Sequence, residues 1–343
     1  MSNSHLDTSQ LPVPAVGHPD ETGVPPLLRL LAPGAPVGGP ELARRLRVSR
    51  TAVWKQVGVL REAGLEIQTG ADGYRLSHPL QLLDVEAVRA RLPAALRRRL
   101  GTLENHWQLD STSSEIARRA ATLRDRSFVF ADWQRAGRGR RGREWLSPPA
   151  TNLQFSCLKR FAGGYAALSG LSLVAGIAAA TALEDCGAAG VALKWPNDLM
   201  HADAKLGGIL VELGGEFMGP CHAIIGVGIN LRVPGMVRKA LGRPCTDLES
   251  ICGARAPARN DLAAALVERL VEALDKFDAE GFPAFAQAWS RLDALSGRKL
   301  RVDGAHGVFE GVAAGVDARG ALLVETANGM RGVDSAEVSV RPT

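Results

Sequence analysis

The sequence predicts an α+β protein with three folded parts: an N-terminal winged helix-turn-helix, a central α/β domain with a mixed sheet, and a small C-terminal β-barrel. Three observations predict this division. Short, punctuated helices and a hairpin pattern occupy residues 25–79, strands alternate with helices across residues 84–292, and short strands joined by glycine turns fill residues 296–343. A chain of 343 residues is also longer than one usual domain.

Composition and charge indicate a globular protein of a reducing compartment. Hydrophobic residues make up 46% of the chain and charged residues 22%, so a packed core is expected rather than disorder. The five cysteines are scattered without a C-x-x-C pair, which favours the cytoplasm and argues against a structural zinc site. Residues 1–24 lack an apolar segment and are expected to form a disordered tail, not a secretory signal. The uncharged stretch 166–183 is diluted by alanine, glycine and serine, so we expect a buried helix and no membrane span.

The N-terminal part has the pattern of two short helices, a tight turn and a hairpin. Ser49 stands where the N-cap of the second helix is expected, and Val53, Val57 and Leu60 recur on one face of that helix. An Asp-Gly turn between two alternating segments then predicts a wing. The second helix presents groups that reach phosphates and base edges, namely Ser49, Arg50, Thr51, Trp54, Lys55 and Gln56.

The charge of this part favours DNA as its partner. Residues 25–78 hold eight cationic side chains against four anionic ones. The alternative is a winged helix that is used only for protein contacts. An excess of cations on a helix-turn-helix is more typical of DNA binding, so DNA is the favoured interpretation.

The central part begins with an arginine-rich helical stretch, residues 84–100, and a strand that runs into small hydroxyl residues. Ser111, Thr112 and Ser113 stand at this strand end, with a helix predicted behind them. Such a cluster is most often a helix cap. It can also bind a small polar group of a ligand.

An arginine-glycine loop is the most distinctive stretch of the chain. Five arginines occupy nine consecutive positions, 135–143, between two predicted strands. The string also satisfies G-x-G-x-x-G, but no apolar helix follows it, so a dinucleotide fingerprint is rejected. A solvated basic loop and an RNA-binding arginine-glycine segment remain as alternatives. We interpret the loop as a mobile cationic lid over a phosphate-bearing ligand.

The strands after the lid bring further cations toward one cleft. Lys194 and Lys205 flank a tight hairpin-like turn, so both side chains are expected to face the same cleft. Gly226 and Gly228 interrupt the next strand, which indicates close approach by a ligand or by another backbone. Asn260 is expected to cap a long amphipathic helix. Four short strands are predicted in the C-terminal part.

Four of these segments together resemble the biotin–protein ligases. They are GRGRRGREW (137–145), KWPNDLMHADAKLGGILVEL (194–213), GVGINL (226–231) and the upstream DSTS (110–113). With a winged helix in front and a barrel behind, the chain is similar to the bifunctional kind, a ligase that is also the biotin operon repressor. The resemblance runs from about Pro25 to the C-terminus. It implies a class II synthetase-like catalytic domain and an SH3-like barrel.

The resemblance also implies roles for individual residues. The biotin-binding set would be Ser111, Thr112, Ser113, Gln134, Arg138, Gly139, Arg140, Lys205 and Gly208. The nucleotide-binding set would be Arg140, Arg143, Trp145, Lys194, Asn197 and Asn230. The catalytic set would be Lys205, Arg140, Arg138, Lys194 and Asp198. Magnesium would arrive on the phosphates, with Asp198 nearby, and no protein-held metal site is expected. Ser113 departs from the family, which usually has asparagine here, so an amide contact to biotin is lost or replaced.

The implied reaction joins biotin to a protein in two steps. Biotin and ATP give biotinyl-adenylate, and a lysine of the biotin carboxyl-carrier protein of acetyl-CoA carboxylase then takes the biotin. Operator DNA near biotin genes and a homodimer of the adenylate-bound chain are the further partners implied. Two alternatives stay open: an enzyme similar to lipoate–protein ligases, and a biotin-responsive repressor without catalysis.

Overall fold

The computed structural model describes residues 23–304, 307–334 and 339–342. The predicted tail, residues 1–24, lies outside these ranges except for Gly23 and Val24. Val24 is buried among the apolar residues of the N-terminal domain, so this residue belongs to the domain and not to a tail.

The N-terminal domain is a winged helix-turn-helix, as predicted. Its elements are helices α1 (Pro26–Leu31), α2 (Gly39–Leu46) and α3 (Arg50–Glu62), followed by strands β1 (Ile67–Gly70) and β2 (Gly73–Leu76). The two strands form an antiparallel hairpin. Ser49 caps α3, because its hydroxyl oxygen accepts a hydrogen bond of 3.1 Å from the backbone N–H of Ala52. The face of α3 that carries Val53 and Val57 is buried, which leaves the opposite face to solvent.

The core of this domain extends into the next one. Trp107 and Trp133 belong to the central domain, yet they pack in the same apolar cluster as α1 and α3. Their rings meet edge to face with centroids 6.5 Å apart. The winged helix is therefore fixed against the central domain by apolar contact and is not held by a linker alone.

The central domain is built on a seven-stranded mixed sheet. Its strands are β3 (Leu103–Leu109), β4 (Ser127–Gln134), β5 (Asn152–Phe161), β6 (Val191–Lys194), β7 (Asp198–His201), β8 (Ala204–Gly215) and β9 (Cys221–Asn230). The order across the sheet is β3-β4-β5-β9-β8-β7-β6. Strands β3 and β4 run parallel and the other neighbours run antiparallel.

Helices cover both faces of this sheet. They are α4 (Val85–Arg91), α5 (Ala94–Arg99), α6 (Thr112–Arg119), α7 (Leu171–Asp185), α8 (Gly235–Leu241), α9 (Leu248–Cys252), α10 (Arg259–Glu280) and α11 (Ala286–Leu292). Helices α7 and α10 pack on each other and on the sheet, and α6 covers another part of it, where Ile116 packs with Val129 and Ile224. Among the described residues, no helix is long and apolar enough to cross a lipid bilayer.

The helical stretch predicted for residues 84–100 is divided into two helices, because Pro93 has no N–H and ends the first one. The structure corrects two other expectations for this domain. The extra strand β7 separates Lys194 on β6 from Lys205 on β8, so these lysines do not flank one turn. Asn260 is not the cap of α10; Ala258 holds that position, and the Asn260 side chain accepts a hydrogen bond of 3.1 Å from the backbone N–H of Asp84.

The C-terminal domain is a small antiparallel sheet. Its strands are β10 (Lys299–Gly304), β11 (Gly307–Val316), β12 (Leu322–Thr326), β13 (Gly329–Val333) and β14 (Ser339–Pro342), in the order β13-β12-β11-β10-β14. Four strands were predicted, and β14 is the fifth. The indole N–H of Trp195 donates to the carbonyl of Gly320 over 3.1 Å, which ties this domain to the central one.

Candidate active site

A cleft of about 850 Å³ opens between the arginine lid, the start of α6 and strands β5 to β9. The predicted biotin-binding residues all line it, and so do the predicted nucleotide-binding residues except Asn230. These lining residues are Ser111, Thr112, Ser113, Gln134, Arg138, Gly139, Arg140, Arg143, Trp145, Lys194, Asn197, Lys205 and Gly208, with Asp198 beside them. Asn230 lines a smaller adjoining cavity, which shares Trp145 and Lys205 with the cleft.

One wall of the cleft is a buried network of neutral hydrogen-bonding groups. Gln134 accepts at Oε1 from the backbone N–H of Thr112 over 2.7 Å and from its hydroxyl over 3.1 Å. The Thr112 and Ser113 hydroxyls lie 2.8 and 2.9 Å from the hydroxyl of Ser156. All these side chains are nine-tenths or more buried. Such a wall suits an uncharged polar ligand group, because burying an ion there without a counter-charge is costly.

Two members of this wall were missed by sequence reasoning. Gln154 and Ser156 lie on β5, and Gln154 accepts a hydrogen bond of 3.0 Å from the side-chain N–H of Gln134. The signal was present in the sequence, because polar Asn152, Gln154 and Ser156 alternate with apolar residues along β5. This period of two puts the three polar side chains on one face of the strand.

A half-buried lysine, Lys205, lies at the other side of the cleft, with 17% of its side chain exposed. The Lys205 ammonium forms an ion pair with the Asp198 carboxylate on the neighbouring strand. Burial lowers the pKa of Lys205 below its usual range, and the negative charge of Asp198 opposes that effect. The ammonium also lies 6.0 Å from the centre of the Trp145 ring. Gly208 packs closely on this lysine, since a Cβ there would lie 3.3 Å from the lysine Nζ.

The arginine lid forms a defined turn. The backbone N–H of Gly139 donates to the carbonyl of Arg143 over 2.7 Å, and that of Trp145 donates to Gly137 over 2.8 Å. Arg138 donates to both oxygens of Glu212 on β8, over 3.0 and 3.2 Å. These contacts anchor the lid across the cleft.

One arginine of the lid, Arg140, is half-buried in the cleft, while Arg138, Arg141 and Arg143 are exposed. Burial lowers the pKa of Arg140, while the charge of Asp198 acts in the opposite direction. An arginine so perturbed still keeps its proton near neutral pH. Arg140, Lys205 and Asp198 therefore form one group of charges, with an excess of one positive charge for an anionic ligand.

The two glycines within β9, Gly226 and Gly228, leave room for neighbouring side chains and not for another backbone. A Cβ at Gly228 would lie 2.8 Å from the indole ring of Trp145, and one at Gly226 would lie 3.1 Å from the Ser113 hydroxyl. The predicted close approach is thus real, but it is made by residues of the site. Trp145 can lie flat over β9 only because position 228 has no side chain.

Asn197 and Asn230 use their amide groups to hold the backbone. Asn197 donates to the carbonyl of Ile209 over 2.7 Å, and Asn230 donates to that of Thr246 over 2.9 Å. Their predicted contact with a nucleotide stays a prediction. Arg243 was not predicted; it lines both cavities beside Lys205, and nothing in the sequence around it singled it out.

The residues of this site do not build a metal centre of their own. Among residues 23–304, 307–334 and 339–342, no group of three His, Cys, Asp or Glu side chains is arranged to hold a metal ion. Asp198 is a single carboxylate, and one of its oxygens is already paired with Lys205. A magnesium ion would fit here only with phosphate oxygens as its main ligands.

The predicted DNA-binding residues lie together on the N-terminal end of α3. Ser49, Arg50, Thr51, Trp54 and Lys55 are exposed, and Gln56 is half-buried. The Trp54 side chain is 63% exposed, which is unusual for a residue of this size and apolarity. The structure places these side chains on one solvent-facing surface, which is what a recognition helix requires.

Comparison with known families matches all three parts of the chain. Residues 27–75 match the HTH domain, residues 107–230 match the Biotin/lipoate A/B protein ligase family, and residues 295–341 match the Biotin protein ligase C terminal domain. The chain is similar to the biotin protein ligase from Aquifex aeolicus in complex with biotin and ATP, with a TM-score of 0.61 and 27% identity. That likeness covers 71% of this chain and 99% of the Aquifex chain.

Relatives with known names give the same assignment. The bifunctional ligase/repressor BirA of Salmonella typhimurium is 37% identical over 324 residues, which is 94% of this chain and 98% of that protein. The biotin–[acetyl-CoA-carboxylase] ligase of Paracoccus denitrificans is 36% identical and covers 67% of this chain and 96% of its own length. Because the Salmonella relative is 37% identical over most of both chains, the chain belongs to the biotin–protein ligase family.

Proposed function

We propose that this chain is a bifunctional biotin–protein ligase and repressor. It forms biotinyl-5′-AMP from biotin and ATP and transfers biotin to a lysine of a carboxylase carrier protein. One observation carries the proposal: a buried neutral hydrogen-bonding wall and a half-buried lysine line the same cleft beneath an arginine lid. The wall suits the uncharged ureido ring of biotin, and the cations suit the carboxylate and phosphates that meet beside it. Relatives named as ligase/repressor and a related structure with biotin and ATP support it.

In the first step a carboxylate oxygen of biotin attacks the α-phosphorus of ATP, and pyrophosphate leaves. An anion must approach a polyanion here, so the barrier falls mainly through placed cations and alignment. Lys205 would contact both the carboxylate and the α-phosphate, while Arg138, Arg140 and Lys194 would add positive charge. Asp198 holds the lysine ammonium in position.

Magnesium enters this proposal only with the nucleotide. Asp198 offers one carboxylate, which is too few protein ligands to bind the ion without phosphate. The ion would supply further positive charge on the phosphates. The roles proposed for this chain's own residues are the same with or without the magnesium ion.

In the second step a lysine amine of the carrier protein attacks the carbonyl carbon of biotinyl-adenylate, and AMP leaves as the amide forms. No enzyme nucleophile is needed. The mixed anhydride reacts with water, so the lid has to exclude solvent until the carrier arrives. The carrier proposed is the biotin carboxyl-carrier protein of acetyl-CoA carboxylase, because the name of the Paracoccus relative includes that enzyme. The scattered cysteines favour the cytoplasm as the compartment of the reaction.

The N-terminal domain gives the proposal its second part, repression of biotin genes. The exposed end of α3 would enter the DNA major groove, and two copies in a symmetric dimer would read a palindrome. We propose that biotinyl-adenylate favours the dimer more than biotin does. Sedimentation with each ligand tests this: a monomer in every state, with unchanged DNA binding, contradicts it.

Catalysis is tested first by biotin-dependent exchange of pyrophosphate into ATP. The wild-type chain should catalyse this exchange with biotin and not with lipoate, which separates it from a lipoate-type ligase. A repressor without catalysis would bind biotin and show no exchange. The absence of exchange in folded protein that binds biotin would therefore remove the enzyme from the proposal.

Replacing Lys205 with alanine tests the assigned centre of the reaction. Loss of a charge that acts at the reacting atoms costs about 3 kcal/mol, so exchange should fall about a hundredfold or more. Lys276→Ala is the matched control, because that lysine lies on α10 and does not line the cleft. Near-normal exchange in folded Lys205→Ala would contradict the role of this residue.

A further inference from the structure

Gln154 ends the buried polar wall, and its amide group can be oriented without ambiguity. The backbone N–H of Thr112 can only donate, so the atom of Gln134 that faces it must be the oxygen. The nitrogen of Gln134 is then the donor to its other neighbour, 3.0 Å away, and that neighbour must be the Gln154 oxygen. The Gln154 amide nitrogen is left pointing elsewhere.

That nitrogen has no hydrogen-bond partner in the part of the chain that the structure describes. Gln154 is 1% exposed, so bulk water does not satisfy it either. A buried donor without a partner costs stability, and native proteins rarely keep one without a function. Gln154 is also one of the residues that line the cleft, so a small shift of its side chain would bring this nitrogen to an acceptor on a ligand bound there.

The hydroxyl groups of the wall add the complementary feature. Thr112 donates to Gln134, so Ser156 donates to Thr112 and Ser113 donates to Ser156. The hydrogen of each hydroxyl is used within the wall, and the Ser113 oxygen keeps lone pairs that can accept. The wall therefore offers N–H donors at Gln154 and an acceptor at Ser113.

We propose that Gln154 is a specificity-determining residue, whose free amide N–H donates to the carbonyl oxygen of a cyclic urea. A urea combines one acceptor oxygen with flanking N–H donors, and this is the complement of the wall. The inference rests on the proposed function, since the ligand is the ureido ring of biotin. Gln154 positions nothing that reacts, so it sets binding rather than the rate of adenylation.

The test compares two ligands on two proteins by titration calorimetry. In 2-iminobiotin an imino group replaces the ureido oxygen, so the atom that Gln154 would contact carries hydrogen. Gln154→Glu keeps an oxygen for Gln134 but removes the amide N–H, and measurement at pH 8 favours the ionised carboxyl. We expect this variant to bind biotin about tenfold more weakly than wild type does, and 2-iminobiotin no more weakly than wild type does. The preference for biotin, which is the Kd for 2-iminobiotin divided by the Kd for biotin, should therefore fall at least tenfold.

Two further proteins keep the test decisive. Gln154→Met is of similar length, has no donor, and should narrow the preference in the same way if Gln154→Glu does not fold. Lys159→Met is the control, because Lys159 is a buried polar residue on the same strand but outside the cleft. It should leave the preference unchanged.

Each other outcome has a distinct meaning. The inference is overturned if the Gln154 variants lose affinity for both ligands equally, or lose affinity for neither. Gln154 is then a structural residue or the partner of a bound water. Failure of the wild-type chain to bind biotin or to exchange pyrophosphate instead overturns the proposed function itself.

Discussion

The Asp198 carboxylate opposes the effect of burial on the pKa of Lys205. Burial favours the neutral amine, and the Asp198 carboxylate favours the ammonium. An uncharged lysine cannot stabilise the attacking carboxylate or the α-phosphate. The pair therefore controls not only where the lysine lies but also the pH range in which it acts.

Replacing Asp198 with asparagine should restrict activity on the alkaline side. Removing the carboxylate lowers the pKa of Lys205 further, and a lysine loses its charge as pH rises through its pKa. The alkaline limb of the pyrophosphate-exchange rate should then move to lower pH, with the acid limb less affected. A profile that only drops in height, without moving, would show that Asp198 has another role.

Position 113 shows how the structure changes an expectation from sequence. Family resemblance suggests that Ser113→Asn would restore an amide contact and tighten biotin binding. In the structure, the Ser113 hydroxyl is bonded to Ser156 and faces Gly226, whose position already has little room. We now expect Ser113→Asn to weaken biotin binding about tenfold, because the larger side chain breaks the wall. Titration showing tighter binding would mean that the asparagine reaches into the cleft instead.

The lid is an element whose two central arginines differ in their surroundings. Arg140 is half-buried near Asp198, while Arg141 is exposed and has a positive φ of 59°. Equal changes of charge at these neighbours should therefore have unequal effects. Comparing the two replacements therefore shows whether the position of the charge matters, or only the number of charges in the loop.

Replacing Arg140 with glycine should release the adenylate. With fewer contacts to the phosphate, the lid would hold biotinyl-AMP less well, and its dissociation should accelerate about tenfold or more. Arg141→Gly is the matched control and should stay within about twofold of wild type, since an exposed charge contributes little. Chasing bound radiolabelled product measures both rates, and equal rates would show that the loop does not retain the intermediate.

Sequence patterns predicted the elements that have strong periodicity or chemistry. Local spacing predicted the winged helix, the start of α6 with its hydroxyl residues, and strand β8 with Lys205. All three lie where they were expected. Strand β7 was missed because its four residues, Asp198–His201, are too short for a clear alternation. The cap of α10 was misplaced because Asn260 bonds a distant residue, Asp84, which no local pattern reveals. Arg243 has no such local pattern, and only the tertiary structure brings it to the cleft. The alternation along β5 marked Gln154 as a polar residue, but its partner Gln134 is known only from the structure.

At the scale of the whole molecule, the winged helix and the central domain share one apolar core. Trp107 and Trp133 are each 8% exposed, although they lie near the surface of the central sheet. They are covered by the N-terminal domain. Removing that domain would expose two large rings to water, at a cost of a few kcal/mol.

A chain lacking residues 1–79 should therefore be less stable than the full-length protein. We expect the midpoint of thermal unfolding to fall by several degrees, with a red shift of tryptophan emission. Trp54→Ala in the full chain is the control; it removes an exposed ring, so its unfolding midpoint should stay unchanged. An unaltered midpoint in the truncated chain would show that the shared core contributes no stability.

Strand β4 carries a consequence for how such proteins diversify. Trp133 packs against the winged helix, and the next residue, Gln134, holds the polar wall of the ligand cleft. A DNA-binding domain transplanted from a relative would have to accept the existing Trp107 and Trp133 surface. If it did not fit that surface, Trp133 would have to change, and Trp133 directly precedes Gln134 of the polar wall. Operator specificity can therefore change through the exposed residues at the N-terminal end of α3. The residues that pack on Trp107 and Trp133 are constrained by the central domain.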